Sequence, residues 1–278
     1  MEAMEREMKL LDDQPVFGYL MEEWDDVRAK DPNATKVGTR MILSEKFFEL
    51  MLPEEAKEYK GRFIAQGCYV QDARGRKVHD KVDHDAPVTM SEARTLLALG
   101  MQEEDAVAYH GDVKGAYITS KLRGRKVYAR IDRRHWFPRW REQEQKRGGF
   151  RDPVTRVIYA LYGLERSDKD WSDHRNRTIA KKDWVRVTAS VWMKNFTVEV
   201  NHKAKAFIIR AGIYVDDCLI TGDRTAGAVA YKELHALLGF SKATPQLMSI
   251  FLGMHSTPIR QISYEGEKYD VIFLSQDP

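Results

Sequence analysis

Three aspartates carry the residue types and spacing for metal chemistry. Asp216 and Asp217 are adjacent and lie between apolar, β-prone runs: Phe207-Ile208-Ile209 and Ile213-Tyr214-Val215 precede them, and Cys218-Leu219-Ile220 follows. Asp112 closes a shorter run, Tyr109-His110-Gly111-Asp112-Val113-Lys114. Adjacent carboxylates repel, and seating them at the tip of a buried-type hairpin costs stability unless a cation offsets the charge. Hard carboxylate oxygens suit Mg²⁺, which keeps several waters and is completed by substrate phosphates. Two such ions, about 3.5–4 Å apart, clamp the attacking and leaving oxygens of an in-line phosphoryl displacement. The pattern leaves an exposed Asp-containing turn open as well, because Asp favours turns. Two other pairs, Asp12-Asp13 and Asp25-Asp26, sit in an acidic stretch and need no metal.

The elements that must position these groups follow from hydrophobic pattern and punctuation. Residues 106–113 predict a short strand ending at Asp112, and residues 206–222 a tight hairpin around Asp216-Asp217. Residues 89–101 predict a helix, since Thr89 and Glu92 have capping-box spacing ahead of Leu96, Leu97 and Leu99. A second helix is expected over 226–238. Residues 1–30 read as one acidic helix, with Leu10, Leu11, Phe17, Leu20, Trp24 and Val27 as apolar punctuation and Asp31-Pro32-Asn33 as its end. Residues 36–50 fit neither pattern. Residues 59–71 read as a strand that turns at 73–76 into a hairpin with 77–82. Residues 121–151 read as basic and turn-rich, 154–162 as strand, and 167–182 as helix. Strand-like pieces recur at 249–255 and 270–275. The irregular alternation predicts an α+β fold with an antiparallel sheet.

A chain of 278 residues with 43% hydrophobic content can bury a core in one large domain or two joined subdomains. The net charge of +3 hides an asymmetry: residues 1–31 carry ten acidic and four basic side chains, and residues 121–151 carry twelve basic and three acidic ones. Such a basic block suits a polyanion, or a solvated loop. Cys68 and Cys218 have no metal-ligand spacing and make no disulfide scaffold, as in reduced intracellular proteins. No apolar run is long enough to span a bilayer and no signal peptide opens the chain, so a soluble protein without a membrane partner is expected.

Several segments resemble one family in unbroken order. Tyr214-Val215-Asp216-Asp217 resembles the Tyr-x-Asp-Asp box of reverse transcriptases, and Asp112-Val113-Lys114-Gly115-Ala116-Tyr117 their first catalytic motif. Leu161-Tyr162-Gly163-Leu164 with Trp171 is similar to a box of copia-type long-terminal-repeat retrotransposons. Tyr59 to Gly67 resembles their fingers segment, and Ala86-Pro87-Val88 with Arg94 to Leu99 the helix before the first motif. Phe251-Leu252-Gly253-Met254 resembles the primer-grip strand, and Leu274-Ser275-Gln276 the entry to the thumb. The resemblance covers about residues 40–278.

It implies a right-hand polymerase with fingers, a palm with an antiparallel sheet, and a truncated thumb. Residues 1–35 would be an acidic helical extension, 36–105 and 121–165 fingers, 106–120 and 166–255 palm, and 256–278 the start of the thumb connection. The implied activity is RNA-directed DNA polymerisation, with Asp112, Asp216, Asp217 and Val113 at two Mg²⁺ ions (or Mn²⁺). Lys60, Arg62, Val113, Tyr117, Tyr162 and Gly163 would form the nucleotide site, Tyr117 rejecting a 2′-hydroxyl. Lys242 would protonate pyrophosphate, and Phe251, Leu252, Gly253 and Met254 would grip the primer. The implied partners are an RNA template, a primer–template duplex and deoxynucleoside triphosphates. No protease, integrase or ribonuclease H signature of a retroelement polyprotein is visible. The implied location is intracellular, in a cytoplasmic retroelement particle or the nucleus. One departure stands out: Glu165 replaces the family's usual Lys, near the expected template path. With the truncation, it motivates an alternative: an inactive remnant that binds nucleic acid non-specifically through the basic block. An unrelated metal-dependent nuclease is a third, weaker reading.

Overall fold

The computed structural model describes residues 2–46, 48, 51, 53–257 and 260–275. Contacts divide the chain into two units, residues 1–83 with 117–171 and residues 84–116 with 172–278. The chain opens with α1 (Glu2–Asp13), which stops ahead of Pro15. Proline lacks an amide hydrogen and disfavours helix in the residue before it. The single helix expected over 1–30 is therefore two, the second being α2 (Trp24–Lys30), with β1 (Glu22–Glu23) before it. The ambiguous stretch after residue 35 is strand β2 (Thr35–Lys46). Strand β3 (Glu58–Ala65) ends sooner than expected, because a 3-10 turn over Gly67–Tyr69 follows. Then β4 (Gln71–Asp72) opens a narrow hairpin, in which Gln71 bridges Lys77 and the Asp72 carboxylate accepts from the Arg74 and Arg76 amides.

Residues 84–116 supply α3 (Met90–Gly100) and β5 (Ala106–Asp112) to the second unit. The predicted capping box is formed: the Glu92 amide donates to Thr89 Oγ1 at 3.2 Å, and the Thr89 amide to Glu92 Oε2 at 2.8 Å. The chain returns to the first unit with β6 (Val127–Arg130), α4 (Pro138–Arg147) and β7 (Pro153–Arg156). Helix α5 (Ser167–Ala180) then leads to β8 (Val185–Arg186), β9 (Val191–Val200), β10 (Lys203–Tyr214), β11 (Asp217–Asp223) and α6 (Arg224–Leu238). Six short strands follow: β12 (Gln246–Leu247), β13 (Ile250–Phe251), β14 (Met254–Ser256), β15 (Arg260–Tyr264), β16 (Glu267–Val271) and β17 (Leu274–Ser275). Gln276, the last residue of the expected thumb entry, lies outside the described residues. The fold is mixed α/β. Among the described residues no helix is long and apolar enough to cross a membrane.

In the first unit the strands run β1-β7-β6-β2-β3, with β4 also on β2. β2 and β6 pair in parallel, while the other pairs of this sheet are antiparallel. Residues 14–21 carry Val16, Phe17 and Met21 into a core with Leu11, Phe63, Trp140 and Leu161. Residues 2–35 are thus built into this unit. The segment 121–151 is likewise strand and helix, not a loop, and its charge meets the N-terminal acids. Lys126 pairs with Asp31 at 2.9 Å, Arg139 with Asp12 at 2.5 Å, Arg151 with Asp25 at 3.4 Å and Arg147 with Asp26 at 3.7 Å. Uncharged bonds run beside them: Trp140 Nε1 donates to the Tyr19 carbonyl, and Gln143 both donates to and accepts from the Met21 backbone.

The second unit is built on an antiparallel sheet ordered β12-β5-β11-β10-β9-β8. Strand parity gives it two faces. α6 covers the face bearing Val107 and Tyr109, close enough that a Cβ on Gly227 would press on both. α3 covers the other: Leu96 and Leu97 cluster with Ala108, Leu219, Phe251 and Met254, and Thr221 Oγ1 donates to the Leu96 carbonyl.

Candidate active site

The hairpin expected around Asp216-Asp217 is β10–β11. Tyr214 pairs with Asp217, leaving Val215 and Asp216 as the two-residue turn. Val215 has φ +53°, an unusual conformation for a β-branched residue and a local strain. On the other side of β11, Asp217 pairs directly with Asp112 at the end of β5. The Val113 amide donates to the Asp216 carbonyl at 2.8 Å, and the Asp112 carbonyl accepts from the Ser241 amide at 2.7 Å. The three aspartates therefore occupy one end of the sheet, with Asp112 tied to the turn on one side and to the segment after α6 on the other.

Cross-strand partners point to the same sheet face, and like charges there repel. Neither Asp112 nor Asp217 has an ion pair with a lysine or arginine among the described residues. Asp217 instead accepts a hydrogen bond from His110 Nε2 at 2.9 Å. Among the described residues no group of three or more His, Cys, Asp or Glu side chains is gathered closely enough to hold a metal ion. The donor chemistry still fits a hard divalent cation: two register-paired carboxylates that, among the described residues, no lysine or arginine pairs with, beside a third in the turn.

The other expected site residues divide between the units. Lys242 follows Ser241; its carbonyl accepts from the Tyr231 hydroxyl and its side chain is exposed. Phe251 and Met254 are buried register partners of β13 and β14, joined by Leu252 and Gly253, both with positive φ. The Phe251 ring meets His110 edge-on at 6.2 Å between centroids, so this hairpin reaches the aspartates through His110. In the first unit, Tyr117 packs edge-on against Tyr162, 4.8 Å between centroids, and its hydroxyl bonds Asp168. Lys60 and Arg62 are exposed on β3. Glu7 of α1 receives the Phe63 amide beside them, and burial raises its carboxyl pKa.

Gly163 has a backbone reason to be glycine. It has φ +90°, and a Cβ there would overlap the Ala65 carbonyl, while one on Gly67 would overlap the Gly163 carbonyl. The Ala65 amide donates to the Tyr162 carbonyl at this crossing. The fingers-like segment and the Tyr-Gly box are thus two halves of one close backbone contact.

Glu165, the sign change at the expected template path, is engaged. One oxygen contacts His79 Nδ1 and the other accepts the Asp80 amide at 2.8 Å. The His79 contact is the main reason its pKa falls below the ordinary carboxylate value. Sequence reading missed His110, Asp168 and this clamp. Only His110 had a signal, two positions before Asp112 and so on the same strand face.

A family model described as reverse transcriptase (RNA-dependent DNA polymerase), of the kind typical of copia-type elements, matches residues 22–263. The chain belongs to the reverse transcriptase family. The match begins at β1, so it takes in residues 22–39, ahead of the motif-bearing span that starts near residue 40. No curated protein matches the chain.

Proposed function

We propose that this chain is the fingers and palm of a retrotransposon RNA-directed DNA polymerase. The second unit would be the main body of the palm, and Asp112, Asp216 and Asp217 its metal-binding aspartates. The observation that carries this reading is the Asp112–Asp217 register across β5 and β11, with the Asp216 carbonyl fastened to Val113. Family membership supports it, since the matched span of residues 22–263 takes in all three positions.

In the proposed reaction the primer 3′-oxygen forms a bond to the α-phosphorus of a deoxynucleoside triphosphate. The bond to the bridging oxygen breaks and pyrophosphate leaves. Divalent metal, as two Mg²⁺ or Mn²⁺ ions, would supply electrophilic stabilisation of the attacking and leaving oxygens. The chain's own contribution is placement: paired strands fix the spacing of Asp112 and Asp217, and Val113 fixes the turn that carries Asp216. Lys60 and Arg62 would counter triphosphate charge, and Lys242 would give pyrophosphate its proton. Tyr117, braced by Tyr162, would exclude ribonucleotides, with Gly163 and Val113 completing the nucleotide site. Residues 251–254 would hold the primer end.

The test is extension of a DNA primer on an RNA template with Mg²⁺ or Mn²⁺, by this chain and by a version extended through a thumb. Extension that Asp217→Asn abolishes supports the reading. Failure of the thumb-containing version to extend, or extension undiminished in Asp217→Asn, overturns it.

A further inference from the structure

His110 sits where an outer support for a metal-binding carboxylate belongs. Its register partner on β11 is Leu219, so His110, Asp112 and Asp217 share one sheet face. A carboxylate can only accept, so the 2.9 Å contact has His110 Nε2–H donating to Asp217 Oδ1. One carboxylate oxygen is thereby occupied, which sets the direction of the other, Oδ2. The imidazole is braced by the Phe251 ring, which lies edge-on against it, and the His110 backbone is held between β11 and Gln246 of β12. A continuous line of contacts runs from the β13–β14 hairpin through one imidazole to Asp217.

We infer that His110 is a positioning residue that fixes the Asp217 carboxylate for a divalent cation and links its orientation to the β13–β14 hairpin. The inference rests on the metal-site reading above. A ligand carboxylate held by a neighbouring donor keeps its orientation without a bound ion, and losing such a partner typically lowers metal affinity about 10–100-fold. The contact with Phe251 needs only an apolar body of about this size; the contact with Asp217 needs the N–H.

The experiment measures Mn²⁺ binding to the full chain by the paramagnetic resonance of free Mn²⁺, without nucleic acid or nucleotide. His110→Gln retains an N–H donor at nearly the same reach, whereas His110→Leu retains the packing without it. Circular dichroism melting confirms that each variant folds. The expected result is near wild-type affinity in His110→Gln and a loss of about 10-fold or more in His110→Leu. Equal affinities in His110→Leu, His110→Gln and wild type, with binding weakened in Asp217→Asn, overturn the role of His110 and leave the metal site standing. Equal weakening in both His110 variants also overturns the donor role. Wild-type affinity in Asp217→Asn overturns the metal-site reading and this inference together.

Discussion

In the first unit the acids of residues 1–31 meet the bases of residues 121–151, and Lys126, Arg139, Arg147 and Arg151 each pair with an N-terminal aspartate. In the second unit Asp112 and Asp217 oppose one another across two strands, and Asp217 accepts a hydrogen bond from a histidine. One concentration of charge is spent on holding a fold; the other is held in place by a fold. On the proposed reading, the difference separates charge kept for a ligand from charge that the chain uses itself. It also weakens the case for a remnant binding nucleic acid through the basic block, because much of that block already has protein partners.

The sharpest way to break this contrast is Asp112→Asn. Primer extension should fall by about 10³-fold or more, because the interaction removed acts on the reacting groups. Thermal melting should be unchanged or slightly raised, because a like-charge cross-strand pair is relieved. A marked drop in melting temperature would place this pair among the structural charges. The seam should behave the opposite way in Arg139→Ala. Arg139 pairs with Asp12 and lies over the rings of Phe137 and Trp140. Its loss should cost about 1–3 kcal/mol in urea unfolding, with residual activity tracking the folded fraction.

The turn between the paired strands gives a smaller effect. Val215→Gly removes a side chain from φ +53° and should stabilise the chain by about 0.5–1 kcal/mol; lower stability in urea would mean the backbone there is unstrained. The smallest effect is acid loss beside the seam. Asp132 is held at about 2, first by the Arg134 side chain and then by its amide. A carboxylate with a depressed folded pKa stabilises fully above its unfolded value of 3.8 and loses that contribution as pH falls toward 2. Acid titration should therefore show a shallow loss of stability over that window, absent in Asp132→Asn.

What could be read without coordinates follows the range of the interactions. α3 was legible because Thr89 and Glu92 are three residues apart, and β10–β11 because its apolar runs flank a short polar break. Their partners were not legible. Nothing local says that Asp217 meets Asp112, that Asp12 meets Arg139, or that Gly67 needs Gly163. The single helix expected over 1–30 failed because an amphipathic pattern persists through Pro15, where the backbone cannot follow it. The strand at 35–46 was hidden because its pairing with β3 and β6, not its own apolar alternation, defines it.

The first unit is assembled from two stretches of chain, and this sets an order of events at the ribosome. Val16, Phe17 and Met21 are made early, yet Trp140, Leu161 and the β7 partner of β1 emerge more than a hundred residues later. At about 5–20 residues per second, that interval is on the order of ten seconds. Throughout it the growing polypeptide carries these apolar side chains with only part of their core made, Leu11 and Phe63 but not Trp140 or Leu161. Slowing translation after residue 83 should therefore lower the soluble yield more than slowing it after residue 171.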